Sequence, residues 1–223
     1  MLDKIKKSAE EAVAPINDGA VIMVGGFMAC GTPESLIDAL LKKGVKNLTI
    51  ICNDGGWPDR GVGKLIVNGQ VKKLIASHVG LNPEVAKRMN AENEADKIDL
   101  TLVPQGTLAE RIRAAGAGLG GVLTPTGVGT IIAEGKQVIN IDGKDYLLEK
   151  PLRADFALIR ASKIDKSGNA VFYGTTRNFN PLIATAADCV IAGACEIVDI
   201  GSIDPNAVHI SGIFINTIVG GEK

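Results

Sequence analysis

Short apolar runs of β-type residues recur through the first half of the chain, and a segment with helical spacing separates each run from the next. This alternation restricts the possible folds more than any other feature, because strand, turn and helix in repeated order build βαβ units. The candidate strands are residues 20–24 (AVIMV), 48–52 (LTIIC), 73–76 and 100–103. The sequence therefore predicts an α/β fold with an open, largely parallel sheet flanked by helices.

The predicted helices begin and end at residues that commonly cap helices. Asp3 is predicted to cap a first helix, in which Ile5, Ala9, Ala12 and Val13 keep a helical spacing. Three more helices are expected: one opened by Thr32 and Pro33 and ended by Gly44, one over residues 83–89, and one that begins near Thr107.

The second half of the chain is predicted to add an antiparallel β-hairpin. Residues 136–149 hold two alternating runs around Asp142 and Gly143, a pair typical of a two-residue type I′ turn. Residues 157–161 and 190–192 are expected to be further core strands, and the segment between them is expected to be helical from Pro181. Since no repeat or convincing linker is present, the chain is interpreted as one domain, residues 1–223.

The composition favours a parallel sheet and excludes several classes of protein. Aromatic residues make up only 4% of the chain, so Val, Ile, Leu and Ala must build the core, which suits strands that are buried on both faces. The 24 basic and 25 acidic residues nearly balance, which argues against nucleic-acid binding. The expected partner is another protein or a small molecule.

Few residues are available for metal or nucleophilic chemistry. The chain has two histidines, His78 and His209, and its four cysteines (Cys30, Cys52, Cys189 and Cys195) show no CxxC spacing. The cysteines are therefore interpreted as reduced thiols of a cytoplasmic protein. No secretion signal or membrane span is predicted, and no metal site is expected.

The strongest local feature is a strand that runs into a glycine turn at Gly25, Gly26 and Gly31. The capped helix after the turn has free amide groups that favour an anion, although a plain turn without a ligand is an equally good interpretation. Cys30 lies in this turn. With no basic residue nearby in sequence, a buried structural thiol is favoured over a nucleophile.

Five blocks of sequence are similar, in the same order, to those of the family I coenzyme A transferases, in the form carried by their alpha (A) subunits. The blocks are residues 18–33 (DGAVIMVGGFMACGTP), 75–80 (IASHVG), 104–117 (PQGTLAERIRAAGA), 123–130 (LTPTGVGT) and 177–181 (RNFNP). In character they are nearest to the subunits that act on acetoacetate, acetate and butyrate. The chain departs from the family mainly over residues 55–57 (GGW), which bear on acyl specificity, and over residues 91–99, a surface stretch.

The resemblance implies ping-pong transfer of coenzyme A between two carboxylates. In this family a glutamate of the beta subunit, in a Ser-Glu-Asn-Gly type motif, carries the glutamyl-CoA thioester, and this chain lacks that motif. The nucleophile is therefore assigned to none of its own glutamates, which are interpreted as helix-turn or surface charges: Glu34, Glu84, Glu110, Glu149 and Glu196. Glu110 is expected to form an i,i+3 ion pair with Arg113.

The resemblance also implies how this chain contributes to the site. Gln105 is the best candidate for a contact with the oxyanion or the substrate carboxylate, with capping of the Thr107 helix as the alternative. Asn53 is a second candidate, and an Asx-turn is its equal alternative. The segment expected to approach the coenzyme comprises Val24, Gly25, Gly26, Phe27, Met28, Ala29 and Cys30.

Several further residues have two possible interpretations. Residues 123–130 are either a tight loop near the active site or subunit seam, or a buried connection. His78 is expected to be a hydrogen-bonded core or interface residue, and His209 is left uninterpreted. Lys72, Lys73 and Arg60 could meet CoA phosphates, although solvated surface is the default for each.

The implied partner is a CoA-transferase beta subunit in an α2β2 or α4β4 assembly. The CoA thioester and short-chain carboxylates are substrates, and no cofactor is expected to bind tightly. One alternative is a dicarboxylate substrate such as 3-oxoadipate or glutaconate, for which Arg60 would supply the extra cation. The other is a non-catalytic module that binds a CoA ester or a sugar phosphate.

Overall fold

A computed structural model describes residues 4–222 of the chain. Its strands are β1 (Val21–Val24), β2 (Leu48–Cys52), β3 (Val71–Ala76), β4 (Asp99–Leu102), β5 (Val122–Thr124), β6 (Val138–Ile141), β7 (Lys144–Glu149), β8 (Ala154–Asp165), β9 (Ala170–Val171), β10 (Ala187–Val198) and β11 (Thr217–Gly220). Its α-helices are α1 (Ala9–Val13), α2 (Glu34–Lys43), α3 (Gly63–Val67), α4 (Pro83–Met89), α5 (Gln105–Gly116) and α6 (Asn180–Ile183).

Most strands form one sheet in the order β11-β10-β8-β1-β2-β3-β4, and every neighbouring pair along this path is parallel. The short β9 adds to β8 in the antiparallel sense. Alternate residues of β1 enter different hydrophobic clusters: Ile22 and Val24 pack in one, and Met23 packs in the other. The sheet is thus buried on both faces, which confirms the predicted largely parallel sheet flanked by helices.

The predicted hairpin is confirmed in a second, smaller sheet of order β5-β7-β6, whose pairs are antiparallel. Asp142 and Gly143 connect β6 to β7 with φ angles of 52° and 82°. Positive φ at both central residues is the requirement of a type I′ turn, so the Asp-Gly signal identified the turn type correctly.

The strand predictions in the first half are confirmed to within two residues, and β2 has the predicted bounds. The two core strands of the second half are much longer than expected, at 12 residues each in β8 and β10. They pair with each other from Ala154 and Ala187 to Asp165 and Val198. Their outer ends carry polar residues, so the apolar run alone underestimates their length.

Helix boundaries differ from the sequence prediction at several points. The cap of α1 is Ser8, whose hydroxyl accepts from Glu11 N, and Ile5 lies in a bridge with Ile218 instead of in the helix. Asp3 lies outside the described residues. The N-cap of α2 is Pro33, so Thr32 does not open that helix, although Gly44 ends it as predicted with φ 74°.

Two other helices were misjudged. The five-residue α3 follows the glycine-rich loop after β2 and was not predicted, because a single helical turn lacks a measurable period. The helix expected from Pro181 begins one residue earlier and is only four residues long. By contrast, α4 has the predicted bounds, and α5 begins two residues before Thr107.

The topology brings four segments to one edge of the sheet. Because β1 to β4 are parallel neighbours, the residues after their carboxyl ends lie at the same edge. These are the glycine turn after β1, Asn53 after β2, Ser77 after β3 and Gln105 after β4. Open α/β sheets place ligands at this edge.

Candidate active site

The glycine turn after β1 contains a strained two-residue hairpin. Phe27 and Cys30 exchange backbone hydrogen bonds, with N···O distances of 3.0 and 2.9 Å. Between them, Met28 and Ala29 have φ angles of 49° and 65°. Left-handed backbone costs about 1–2 kcal/mol per non-glycine residue, so the surrounding structure must hold this turn in place.

One support of the turn is Asn178. Its Oδ1 accepts from Gly26 N at 3.1 Å, and its Nδ2 donates to the carbonyls of Cys30 at 3.0 Å and Thr175 at 2.7 Å. A single amide therefore holds both ends of the strained hairpin.

Asn180 also binds the backbone of the glycine turn. Its Nδ2 donates to Gly31 O at 2.9 Å, and its Oδ1 accepts from Arg160 N at 3.0 Å. A Cβ on Gly25 would lie 1.9 Å from that Oδ1, so the chain passes too close for any side chain at Gly25. The RNFNP block thus shapes the glycine turn.

Asp54 holds the turn from the other side. Its Oδ2 accepts from Met28 N and from Asn53 Nδ2, both at 2.8 Å, and its Oδ1 accepts from Gly56 N at 3.0 Å. The last of these is an Asx-turn, which belongs to Asp54 and not to Asn53. The Asx alternative for Asn53 is therefore wrong.

Gln105 and Asn53, the two polar candidates, contact each other. Gln105 Nε2 donates to Asn53 Oδ1 at 2.6 Å. Asn53 is buried, and Gln105 is exposed as the first residue of α5. The capping alternative for Gln105 is wrong, because the N-cap of α5 is Pro104 and no side chain caps this end. An amide nitrogen carries two hydrogens, so Gln105 keeps one donor beyond the bond to Asn53.

Residues of the glycine turn line two open cavities. The first has a volume of about 740 Å³, and its lining includes Phe27, Gln105, Arg113 and Arg177. The second has a volume of about 570 Å³, and its lining includes Met28, Ala29, Cys30, Arg60, Lys64 and Arg160. Arg60 thus lines a different cavity from the one that Gln105 lines.

Exposure divides the predicted coenzyme-binding segment into two parts. Val24, Gly25 and Gly26 are buried, whereas Phe27, Met28 and Cys30 are exposed and Ala29 is half-buried. The buried glycines line a narrow niche with Asn53 and Asp54. The exposed groups at this edge therefore include the hairpin and Gln105.

Two cysteines of this edge differ sharply in environment. Cys30 was expected to be buried, and this is wrong: its thiol is exposed, 3.2 Å from Thr175 Oγ1. Cys52 is buried at the end of β2, and burial raises the pKa of its thiol, to which the Asp54 carboxylate adds. All four cysteines are free of disulfides, as expected.

Burial corrects two further predictions. His78 is exposed, so the core alternative for it is wrong, whereas the interface alternative stays a prediction; its backbone carbonyl accepts from Gly55 N. Glu149 is buried at 2% exposure, where it pairs with Lys136 and Arg111, so it is no surface charge. Glu110 and Arg113 form the expected i,i+3 ion pair at 3.1 Å, and both are exposed.

Two lysine candidates lie apart from the edge that holds Gln105 and Asn53. Lys72 and Lys73 are near the start of β3, where Lys72 donates to Glu94 O and Lys73 pairs with Asp99. Residues 123–130 are largely exposed, so the buried-connection alternative for that loop is wrong. The start of this loop faces Gly106 and Thr107 across a third cavity of about 490 Å³.

Sequence reasoning missed the residues that support the site: Asp54, Asn178 and Asn180. Their signal was present, because an acidic residue after a strand and two asparagines in one block are typical of side chains that hold backbone groups. Which backbone they hold is set by contacts between residues that are distant in sequence.

Between residues 4 and 222, no group of three or more His, Cys, Asp or Glu could hold a metal ion. No helix in the same part of the chain is long and apolar enough to cross a membrane.

Known proteins are similar to this chain along nearly its whole length. The family model described as coenzyme A transferase matches residues 6–221. The chain is 52% identical over 210 residues to the acetate CoA-transferase subunit alpha of Escherichia coli K12, covering 94% of each chain. It is 53% identical over 202 residues to the acetoacetyl-CoA:acetate/butyrate CoA transferase alpha subunit of Clostridium acetobutylicum, covering 91% of each.

A solved structure gives the same result for the fold. The acyl-CoA transferase YdiF of Escherichia coli O157:H7, in its thioester complex with CoA, superposes with a TM-score of 0.84 at 29% identity. The match covers 97% of this chain and 47% of that one, so the chain spans about half of YdiF. The chain therefore belongs to the coenzyme A transferase family. Within that family it is an alpha subunit of a family I CoA-transferase, as the five sequence blocks predicted.

Proposed function

We propose that this chain, with a beta subunit, transfers coenzyme A between acetoacetate and a short-chain carboxylate, acetate or butyrate. The reaction belongs to short-chain fatty acid metabolism. The two relatives that are 52% and 53% identical are named for acetate and for acetoacetyl-CoA with acetate or butyrate, which supports these substrates. The observation that carries the proposal is the Gln105–Asn53 hydrogen bond beside the glycine hairpin.

The proposed reaction needs a donor for an oxyanion. A glutamate of the beta subunit attacks the thioester carbonyl of the acyl-CoA, and CoA leaves as a thiolate. The thiolate then attacks the glutamyl carbonyl of the anhydride, which releases the acid and leaves a glutamyl-CoA thioester. An incoming carboxylate takes the CoA by the same two steps in reverse. Each attack places negative charge on a carbonyl oxygen, which a preorganised neutral donor stabilises.

Gln105 is the proposed donor. Asn53 is buried and fixes one hydrogen of the Gln105 amide, so the second can be directed at a ligand in the adjoining cavity. Phe27 borders the same cavity, where it would cover the reacting carbonyl from water. The exposed part of the hairpin, Phe27 to Cys30, is the proposed contact with the coenzyme, while Val24, Gly25 and Gly26 allow the close backbone approach beneath it.

The remaining parts of the proposal concern assembly and location. The chain acts as one domain over residues 1–223 in an α2β2 or α4β4 enzyme, and the CoA thioester is a substrate and not a tightly bound cofactor. The absence of disulfides among the four cysteines supports a cytoplasmic enzyme.

The test is CoA exchange by the purified chain assembled with its matching beta subunit. Acetoacetyl-CoA with acetate or butyrate is expected to give exchange, and the chain alone is expected to give none. Mass spectrometry is expected to find the thioester adduct on the beta subunit. An adduct on this chain, or no exchange by the assembled enzyme, would contradict the proposal. Ligand binding without exchange would favour the non-catalytic binding module.

A second candidate substrate is a dicarboxylate. Arg113 and Arg177 line the Gln105 cavity, where a guanidinium could bind a second carboxylate, whereas Arg60 lines a different cavity. The assay separates the two candidates: a higher kcat/KM for 3-oxoadipyl-CoA or glutaconyl-CoA than for acetoacetyl-CoA would select the dicarboxylate.

A further inference from the structure

Asp54 is a buried carboxylate to which the proposed mechanism gives no role. It is 6% exposed and lies between the strained hairpin and the Asn53–Gln105 pair. From this geometry we propose that Asp54 is a positioning residue, which orients Gln105 through Asn53 and at the same time holds the hairpin at Met28. The inference rests on the proposed role of Gln105.

Asp54 sets the orientation of the Asn53 amide. Asn53 Nδ2 donates to Asp54 Oδ2, so the Asn53 oxygen must face the other way, toward Gln105 Nε2 and Ser77 Oγ. An ionised carboxylate can only accept hydrogen bonds. Asp54 therefore excludes the flipped amide, in which the Asn53 NH2 group would face the Gln105 NH2 group and neither could accept.

Asp54 also supports the strained hairpin. The same Oδ2 atom that binds Asn53 accepts from Met28 N at 2.8 Å. Hydrogen bonds to a charged acceptor are about twice as strong as neutral ones, which offsets part of the left-handed strain at Met28. One carboxylate oxygen thus joins the hairpin and the amide pair that flank the Gln105 cavity.

The coupling between Asp54 and Gln105 distinguishes a positioning role of Asp54 from a purely structural one. If Asp54 acts through Gln105, removing Asp54 costs less once Gln105 is already absent. Residues that work as a unit give combined losses well below the product of their separate losses. A purely structural carboxylate would instead lower stability without this dependence on Gln105.

The test is a double-mutant cycle on the enzyme assembled with its beta subunit. Asp54→Ala removes both carboxylate oxygens and is expected to lower kcat about 10- to 100-fold, because the orientation of Gln105 acts on the transition state, while loss of the bond to Met28 N is expected to raise the KM for the acyl-CoA. In the Gln105→Ala background the same change is expected to cost less than about threefold. Asp54→Asn keeps one oxygen for Met28 and Asn53, so it is expected to recover part of the loss.

Asp165 supplies the matched control. It is also a buried carboxylate, 2% exposed, and it accepts from Ser167 N and Asn169 N. It lies at the end of β8, well beyond Leu158, which pairs with Val24. Asp165→Ala is expected to lower the free energy of unfolding while the folded enzyme keeps its kcat.

The outcomes separate this inference from the proposed function. A wild-type kcat for Asp54→Ala, or losses that multiply in the double mutant, overturns the role of Asp54. If Asp54→Ala does not fold, the cycle is run with Asp54→Ser, whose hydroxyl can keep the turn at Gly56 N but leaves no second oxygen for Asn53 and Met28, so that a wild-type kcat has the same meaning. A wild-type rate for Gln105→Ala removes the proposed role of Gln105 and this inference with it, whereas a slow Gln105→Ala with a normal Asp54→Ala removes only the inference.

Discussion

Gln105 donates its side-chain amide to Asn53 Oδ1 at 2.6 Å, although 52 residues separate the two in sequence. The parallel order of β2, β3 and β4 explains the contact, because Asn53 follows the first of these strands and Gln105 follows the last. Ser77, after the strand between them, donates to Asn53 O at 2.7 Å. The sheet edge thus provides a continuous polar row that ends at an exposed amide.

The first prediction concerns this amide. Gln105→Ala in the assembled enzyme is expected to slow kcat by about 100-fold or more, because a lost oxyanion donor has this effect in acyl-transfer enzymes. The measurement is steady-state CoA exchange with acetoacetyl-CoA. The neighbouring Gly106→Ala is a suitable control, since a Cβ there meets nothing within 4 Å. An unchanged rate for Gln105→Ala would return Gln105 to a structural role.

The second prediction concerns the amide that holds the hairpin. Asn178→Asp replaces the donor that faces the carbonyls of Cys30 and Thr175 with a second acceptor. The loss of these two bonds is expected to destabilise the folded chain by about 2–4 kcal/mol and to reduce CoA exchange. Asn17→Asp is the control, because the exposed Asn17 donates only to Pro15 O. Equal unfolding midpoints for the two variants would contradict the role of Asn178.

The third prediction concerns close packing at Gly25. Gly25→Ala places a Cβ 1.9 Å from Asn180 Oδ1, so Asn180 must leave its bonds to the backbone. Thermal unfolding is expected to show a loss of roughly 2 kcal/mol or more. Gly120→Ala meets nothing within 4 Å and is expected to leave the unfolding temperature nearly unchanged. A tolerated Gly25→Ala would mean that the loop relaxes without cost.

The fold could be predicted where local signals agree with the final contacts. The strands β1 and β2 are compact apolar runs, and Asp142-Gly143 carries its own turn geometry. The long β8 and β10 could not be delimited, because their outer ends are stabilised by pairing with each other and not by an apolar pattern. Residue propensity and hydrophobic periodicity do not indicate which distant strands pair with each other.

The site could be predicted only in part, for a related reason. The predicted strand ends place Asn53 and Gln105 at one edge of the sheet, but they do not predict the hydrogen bond between the two side chains. Cys30 was misjudged because its surroundings in sequence are apolar, whereas the hairpin turns its thiol outward. Glu149 was misjudged in the opposite sense, since its two cations come from other segments of the chain.

The fourth prediction concerns Glu149, whose carboxylate lies 2.5 Å from Lys136 Nζ and 3.7 Å from Arg111 Nε. Glu149→Gln leaves both cations partly buried without a counter-charge, which is expected to cost about 2–4 kcal/mol in chemical denaturation. The exposed pair formed by Glu110 is the control, and Glu110→Gln is expected to cost less than about 1 kcal/mol. Folded Glu149→Gln enzyme is expected to keep its CoA exchange, and loss of thioester formation in it would challenge the assignment of the nucleophile to the beta subunit.

The last prediction concerns pH and His209. Phe172 N donates to His209 Nδ1 at 3.0 Å, and the two rings stack. Burial, followed by the charge of Arg177, lowers the pKa of His209 below its usual 6.5. The unfolded chain therefore binds this proton first, so stability is unaffected above about pH 6.5 and falls as the pH drops below that value. His209→Asn keeps an acceptor for Phe172 N without titrating, and its free energy of unfolding is expected to fall less between pH 7.5 and 5.5 than that of the wild type. Parallel curves for the two proteins would show that His209 does not contribute to the acid sensitivity of the fold.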